Sequence, residues 1–449
     1  MGKLRGGEPL SFREQLALTV IMSMPAILAQ LSGVLMSYID SAMVGRLGAG
    51  PAASIGLVST TTWIFGGFCM ATSAGFTVQV AHLVGSNDFK RAREVLRQSL
   101  FSVILFSLTL SIFGISISGA LPHWLGGNAD IIPDAGSYFL IYAMFLPALQ
   151  ISYTCGAMLQ SSGNMKVPSI LNIMMCVMDV IFNYLFIFRL GMGVKGAALG
   201  TGLAELITAA MMCTFLLRKS PELNLLQDSG SFIPTKDCLR KALDISWPMW
   251  LQNVVSRGAY IASTVIVAPL GTIAIAANSF AITAESFCYM PGYGIQDAAT
   301  SIIGQSLGAG RKQTAKRFSQ ISIWLAAIIM TLLAVLMFVC STELMAMLSN
   351  DPEVIALGAK VLKIEAFAET MFAVSIVGYG ACVGGGDTLV PGIMNLVSMW
   401  VVRIGLAIIL TPRMGLTGYW IAMCIELNVR GLLFIWRCRG DKWMKLKMT

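Results

Sequence analysis

Two aspartates interrupt long apolar runs in the first half of this 449-residue chain: Asp40 closes one run, and Asp179 lies inside PSILNIMMCVMDVIFNYLFIF, between Asn172 and Asn183. On a helix advancing about 100° per residue, Asn172, Asp179 and Asn183 fall within about 20° of one line and share a face. A charged side chain at the centre of a membrane span costs about 2.5–3.5 kcal/mol or more, so each is a functional hypothesis by default. If Asp40 and Asp179 meet in one low-dielectric lobe, desolvation and like-charge repulsion forbid both from staying ionised without a proton or a cation. That is the chemistry of an ion-coupling site, taking H⁺ or Na⁺. The structural alternative is an interfacial Asp40 and an Asp179 bonded to a helix neighbour.

The second half carries a different set. Arg257 shares a helical stripe with Asn253, Tyr260 and Thr264, and Glu285 shares one with Asn278, Tyr289, Gly292 and Gln296. A rise of about 1.5 Å per residue puts Arg257 and Glu285 near the midplane on antiparallel neighbours, where they can pair with each other or meet a substrate. Glu365 and Arg403 match in depth and read as a structural pair, while Glu369, Glu205, Glu426 and Arg430 are weaker candidates. Other chemistries find no support. His82 and His123 are far apart, the ten cysteines contain no C-x-x-C pair, and neither H-E-x-x-H nor a phosphate-binding glycine loop occurs. A metalloenzyme or an ATP-driven pump is disfavoured, and no cofactor is expected.

These residues are set in a chain that is 56% hydrophobic and 12% charged, against about 25% charge in a soluble domain. Twelve runs are long enough to cross a bilayer: 16–39, 52–80, 98–120, 136–159, 167–188, 196–217, 246–269, 275–303, 319–340, 357–383, 389–411 and 416–436. The first follows about fifteen polar residues with no cleavage site, so no removable signal peptide is expected. With both termini cytoplasmic, 22 of the 31 Lys and Arg residues fall inside, among them Arg437, Arg439, Lys442, Lys445 and Lys447, and only Arg46, Arg189, Lys195 and Arg413 fall outside. The net charge of +8 is thus a matter of orientation, and no nucleic-acid partner is expected.

The chain also repeats itself. A shift of 223 residues carries Pro25 to Pro248, Leu47-Gly48 to Leu270-Gly271, Gly85 to Gly308, Gly163 to Gly386, Pro168 to Pro391 and Asn172 to Asn395. Six spans per repeat give both copies the same orientation, related by an axis along the membrane normal, with a central cleft suited to alternating access. The expected lobes are residues 1–217 and 246–449, joined by a polar, proline-containing linker at 218–245. The same shift takes Asp40 to Ser263 and Asp179 to Val402, so the carboxylate pair belongs to one repeat alone. A channel, a flippase for lipid-linked molecules and a membrane-embedded enzyme are the competing classes. The enzyme would need a nucleophile and base or a metal site, which the motifs do not supply.

Read in order, several segments resemble the multidrug and toxic compound extrusion transporters over nearly the whole chain: DSAMVGRLG at Asp40 to Gly48, GVKGAALGT at Gly193 to Thr201, AANSF at Ala276 to Phe280, PGYG at Pro291 to Gly294, GQSLGAG at Gly304 to Gly310 and GGGDTLVP at Gly384 to Pro391. The resemblance implies export of organic, often cationic, compounds against inward flow of H⁺ or Na⁺, through a cleft between two six-helix lobes; a monomer in the plasma membrane is expected. It also implies a cation site from an Asp in the first span and an Asn/Asp pair in the fifth. Here that pair runs Asp179 then Asn183, the reverse of the Asn-then-Asp form. Acids in the seventh, eighth or tenth spans are used in such proteins; Glu285 and Glu369 match the eighth and tenth, whereas the seventh offers Arg257.

Overall fold

In a computed structural model, which describes residues 2–6 and 8–445, the chain is helical throughout, with no strand among the described residues. Lys447 lies outside the described residues. Twelve long helices follow one another: α1 Phe12–Gly45, α2 Ala49–Gly85, α3 Phe89–Ile117, α4 Ile132–Ser161, α5 Lys166–Arg189, α6 Gly193–Lys219, α7 Lys236–Val267, α8 Thr272–Gly308, α9 Lys312–Val339, α10 Pro352–Glu365 with Glu369–Gly384, α11 Leu389–Met414 and α12 Leu416–Arg439. Ten are long and apolar enough to span a membrane by themselves. The other two are the ones that carry polar cargo: α7, with Gln252, Asn253 and Arg257 in its apolar half, and α10, whose two pieces meet at a bend of 59°. Side chains such as Trp63, Ile112, Leu332 and Val339 point outward at more than half exposure, as they must where hydrocarbon replaces water.

The 223-residue period reappears as helix starts. α2, α3, α5 and α6 begin at Ala49, Phe89, Lys166 and Gly193, and α8, α9, α11 and α12 begin 223 residues further on in each case. Gly48 and its counterpart Gly271 both open a helix with φ in the left-handed region, at 114° and 94°, a conformation that only glycine holds without strain. The fifth helix of each repeat also contains a π-helical stretch, Leu185–Arg189 in α5 and Ser398–Ile404 in α11.

Two compact units result: Ser32–Trp250, and the chain up to Leu31 together with that from Leu251 on. Each unit therefore includes the start of the other repeat's first helix. Glycines explain it. A Cβ on Gly294 of α8 would stand 2.6 Å from the backbone N of Ile27, so α1 begins in direct backbone contact with α8, and Gln30 Nε2 adds a 3.3 Å hydrogen bond to Asp297. In the other unit a Cβ on Gly75 of α2 would stand 2.5 Å from the Ala242 carbonyl oxygen, and Ser246 Oγ donates to the Ala71 carbonyl at 2.9 Å. The segment after α6 is not a loose tether either: Arg93 Nε donates to Asp228 Oδ2 at 2.7 Å, and Arg97 Nη2 meets Asp228 Oδ1 at 2.5 Å.

Candidate functional site

The first cluster forms where α1, α5 and α6 meet. Asp179 and Asn183 lie one turn apart on α5 and are fully buried, while Asp40 of α1 is half-buried. The Asn183 amide nitrogen donates to both carboxylates, at 3.0 Å to Asp40 Oδ1 and 3.1 Å to Asp179 Oδ2. Its nitrogen must face them, because the amide oxygen would oppose two acceptors. Asp179 Oδ1 and Asn183 Oδ1 remain buried without a hydrogen bond.

The glycines of α6 make this closeness possible. A Cβ on Gly196 would stand 2.8 Å from the Phe186 carbonyl carbon, and one on Gly200 would stand 2.1 Å from Asn183 Oδ1 and 2.9 Å from its backbone N. These two glycines, four apart, are a small-residue face of the kind that lets membrane helices touch along their backbones. They hold α6 against the π-helical stretch that begins two residues after Asn183. Such insertions in a helix recur at functional sites. Asn172, two turns earlier on α5, makes no side-chain hydrogen bond among the described residues and stands apart from the cluster.

The second cluster surrounds the break in α10. Glu365 ends its first piece and Glu369 begins the second, with residues 366–368 as the turn between them. Both side chains are fully buried, and none of their four carboxylate oxygens has a hydrogen-bond partner among the described residues. Glu369 does gain from its place in the first turn of a half-helix, where the dipole favours negative charge. Glu285 of α8, also buried, is within electrostatic reach of both. Broken spans with exposed helix ends are the places where transporters bind ions and substrates. Tyr289, one turn along α8, packs on Phe372 of α10 at a ring separation of 5.5 Å, and Gln296 lies against Gly380.

Two sequence-based pairings are not formed. Glu285 makes no ion pair with Arg257; the guanidinium lies 5.6 Å from the ring centre of Tyr260, three residues on along its own helix. Arg257, Asn253 and Tyr260 are thus on α7 without bonding to the acids of α8 and α10, and Tyr260 is half exposed. Nor does Arg403 take Glu365. It bonds Glu426 Oε2 through Nε at 3.0 Å and Nη2 at 2.7 Å, while Arg430 Nε and Ser398 Oγ occupy Glu426 Oε1 at 2.7 and 2.6 Å. Glu426 is saturated, which leaves Glu365 bare. Asn278 is likewise committed, accepting from Trp420 Nε1 at 2.9 Å. Asp297, overlooked in the sequence although it lies in the same span as Glu285, is a further intramembrane acid held by Gln30.

The MatE family model matches residues 25–185 and 248–409, one match in each repeat. A probable multidrug resistance protein NorM of Thermotoga maritima is 26% identical over 430 residues, covering 94% of this chain and 92% of its own length. Human multidrug and toxin extrusion protein 1 is 25% identical over 453 residues, 97% of this chain and 76% of the human protein. Among solved structures, a mutant of the Vibrio cholerae MATE transporter VcmN superposes with a TM-score of 0.89 at 17% identity, covering 95% of this chain and 97% of that one. A MOP-superfamily transporter from Pyrococcus furiosus superposes with a TM-score of 0.90 at 18% identity, covering 99% and 98%. Its twelve long helices in two copies, each copy matched by the family model, place this chain in the MatE family, as a multi-pass membrane transporter and not an enzyme.

Proposed function

We propose that this protein is an antiporter in which inward flow of H⁺ or Na⁺ drives export of organic, cationic compounds by alternating access. The observation that carries the reading is the single Asn183 amide shared by Asp40 and Asp179. A neutral amide offers two N–H dipoles to two carboxylates and leaves Asp179 Oδ1 bare, so full ionisation of both needs an added positive charge. A proton or Na⁺ arriving there neutralises the repulsion and favours the packing of α1, α5 and α6 seen around it. Its departure favours another packing, and an ion that binds two states unequally shifts the balance between them.

In the second repeat, Glu285, Glu365 and Glu369 are buried acids with few partners whose ionised form an arriving organic cation would stabilise, and the Tyr289 ring supplies a π face. A flippase for phosphate-bearing lipids is the weaker alternative, since it needs a strongly cationic cavity, and of the two midspan arginines, Arg257 and Arg403, the second is already spent on Glu426. In this reading the transporter is a monomer in the plasma membrane, and the distribution of basic residues supports cytoplasmic termini. The test is dye efflux from proteoliposomes under a pH gradient or a Na⁺ gradient imposed separately. Asp40→Asn and Asp179→Asn should each abolish gradient-driven efflux; if both variants export as the unaltered protein does, the coupling site is elsewhere.

A further inference from the structure

A groove of 530 Å³ runs between the start of α1 and the first half of α9, inside one compact unit. Phe12 and Leu16 form one wall; Ile321, Trp324 and Ile328 form the other, and Arg317 stands at its end. The α9 residues follow one another at spacings of three and four, so they make a single helical stripe. Trp324 and Ile328 are 69% and 56% exposed, and the stripe continues outward through Leu332 and Val335.

The charges at the groove's end are uncompensated. Arg317, which lines the groove, and Arg13, next in sequence to the groove residue Phe12, are exposed and make no ion pair or hydrogen bond among the described residues. Two acids beside these arginines are taken: Glu14, next to Arg13, accepts from Lys3 Nζ at 2.8 Å and from the Ser11 backbone N at 2.9 Å, and Asp441 accepts at 2.9 Å from Lys316, next to Arg317. Eleven residues separate Arg317 from Ile328, about 16 Å along a helix, which is half of a hydrocarbon core about 30 Å thick. A guanidinium at headgroup depth, a tryptophan below it and an apolar trough one leaflet deep complement one kind of molecule.

We infer that this groove is a binding site for an anionic glycerophospholipid, with its phosphate on Arg317, supported by Arg13, and an acyl chain along Trp324 and Ile328. Arginine suits the role because its planar fork takes two phosphate oxygens at once. A zwitterionic headgroup would bring an ammonium to a groove whose lining holds no acid. The lipid would tie the first half of α1 to α9. Placing it in the cytoplasmic leaflet rests on the orientation proposed above; the site itself does not.

Native mass spectrometry of the full chain in detergent, titrated with phosphatidylglycerol or phosphatidylcholine, tests the assignment. One phosphatidylglycerol should be retained about tenfold more tightly than phosphatidylcholine, and Arg317→Gln should remove that preference, the double variant with Arg13→Gln more completely. Arg413→Gln, an exposed arginine of α11, should leave it intact. Phosphatidylglycerol with brominated chains should quench a component of tryptophan fluorescence that is missing in Trp324→Phe. Equal retention of both lipids, or Arg317→Gln binding like the unaltered chain, would overturn the inference. Cysteine labelling of the 220–235 segment in intact cells reads orientation separately, so failure of that reading is told apart from failure of the site.

Discussion

Replacing Gly200 by alanine should uncouple this transporter without touching an ionisable group. The added Cβ would stand 2.1 Å from Asn183 Oδ1 and 2.9 Å from the Asn183 backbone N. Turning the amide relieves the first contact and not the second, so α5 and α6 must separate as well. The turn takes the amide nitrogen off Asp40 and Asp179, to which it now bonds at 3.0 and 3.1 Å, and a displacement of about 1 Å between the helices restores ordinary contact at the backbone N. Overpacking of this kind costs about 1–3 kcal/mol. Each severed bond to a charged acceptor adds up to about 1.5–3 kcal/mol. Thermal unfolding in detergent and gradient-driven dye efflux in proteoliposomes measure the two effects. We expect a lowered melting temperature together with efflux that no longer responds to the imposed ion gradient. Gly33→Ala is the control, since a Cβ there meets nothing within 4 Å. If Gly200→Ala melts and couples like the unaltered protein, the packing of α6 on Asn183 does not govern the site.

Other perturbations have opposite signs. Glu426→Ala strips two arginines of their buried partner and should cost about 3–5 kcal/mol in thermal stability. Glu365→Gln replaces a buried carboxyl that bonds to nothing among the described residues, so it should leave stability unchanged or raise it while impairing transport. Gly294→Ala should loosen the start of α1 from α8, read as faster proteolysis near residues 8–11. Outside the membrane, burial raises the Asp228 carboxyl, but hydrogen bonds from Arg97 and Arg93 more than offset this and hold it below the ordinary range. A depressed carboxylate stabilises above its unfolded value, about 3.9, and that stability is lost as pH falls through the folded value. Asp228→Asn should therefore lower the melting temperature at pH 7, with the difference shrinking below about pH 4.

The groove beside α9, the acids of α10 and the Asp40–Asp179–Asn183 cluster differ in how far they could be seen in advance. Twelve spans, the 223-residue register and the intramembrane acids Asp40, Asp179, Glu285 and Glu369 are legible in the chain itself, because the cost of desolvating a polar group is set residue by residue. Helical phase likewise puts Asp179 and Asn183 on one face. Periodicity does not reveal that the span holding Glu365 and Glu369 is broken, since both halves are apolar and no proline marks the bend.

Partner choice belongs to the tertiary structure. Arg403 lies at a depth that suits Glu365, yet it bonds Glu426, because the π-helical turn of α11 and the contact with α12 decide where its guanidinium points. Arg257 and Glu285 share a depth and never meet. The exchange of first-helix halves between units depends on Gly294 and Gly75 facing a backbone, a feature no sequence window contains. Depth in the bilayer follows from position along one helix, which the chain encodes locally. Which charges touch follows from rotation and distance between helices far apart in sequence, and packing alone settles those.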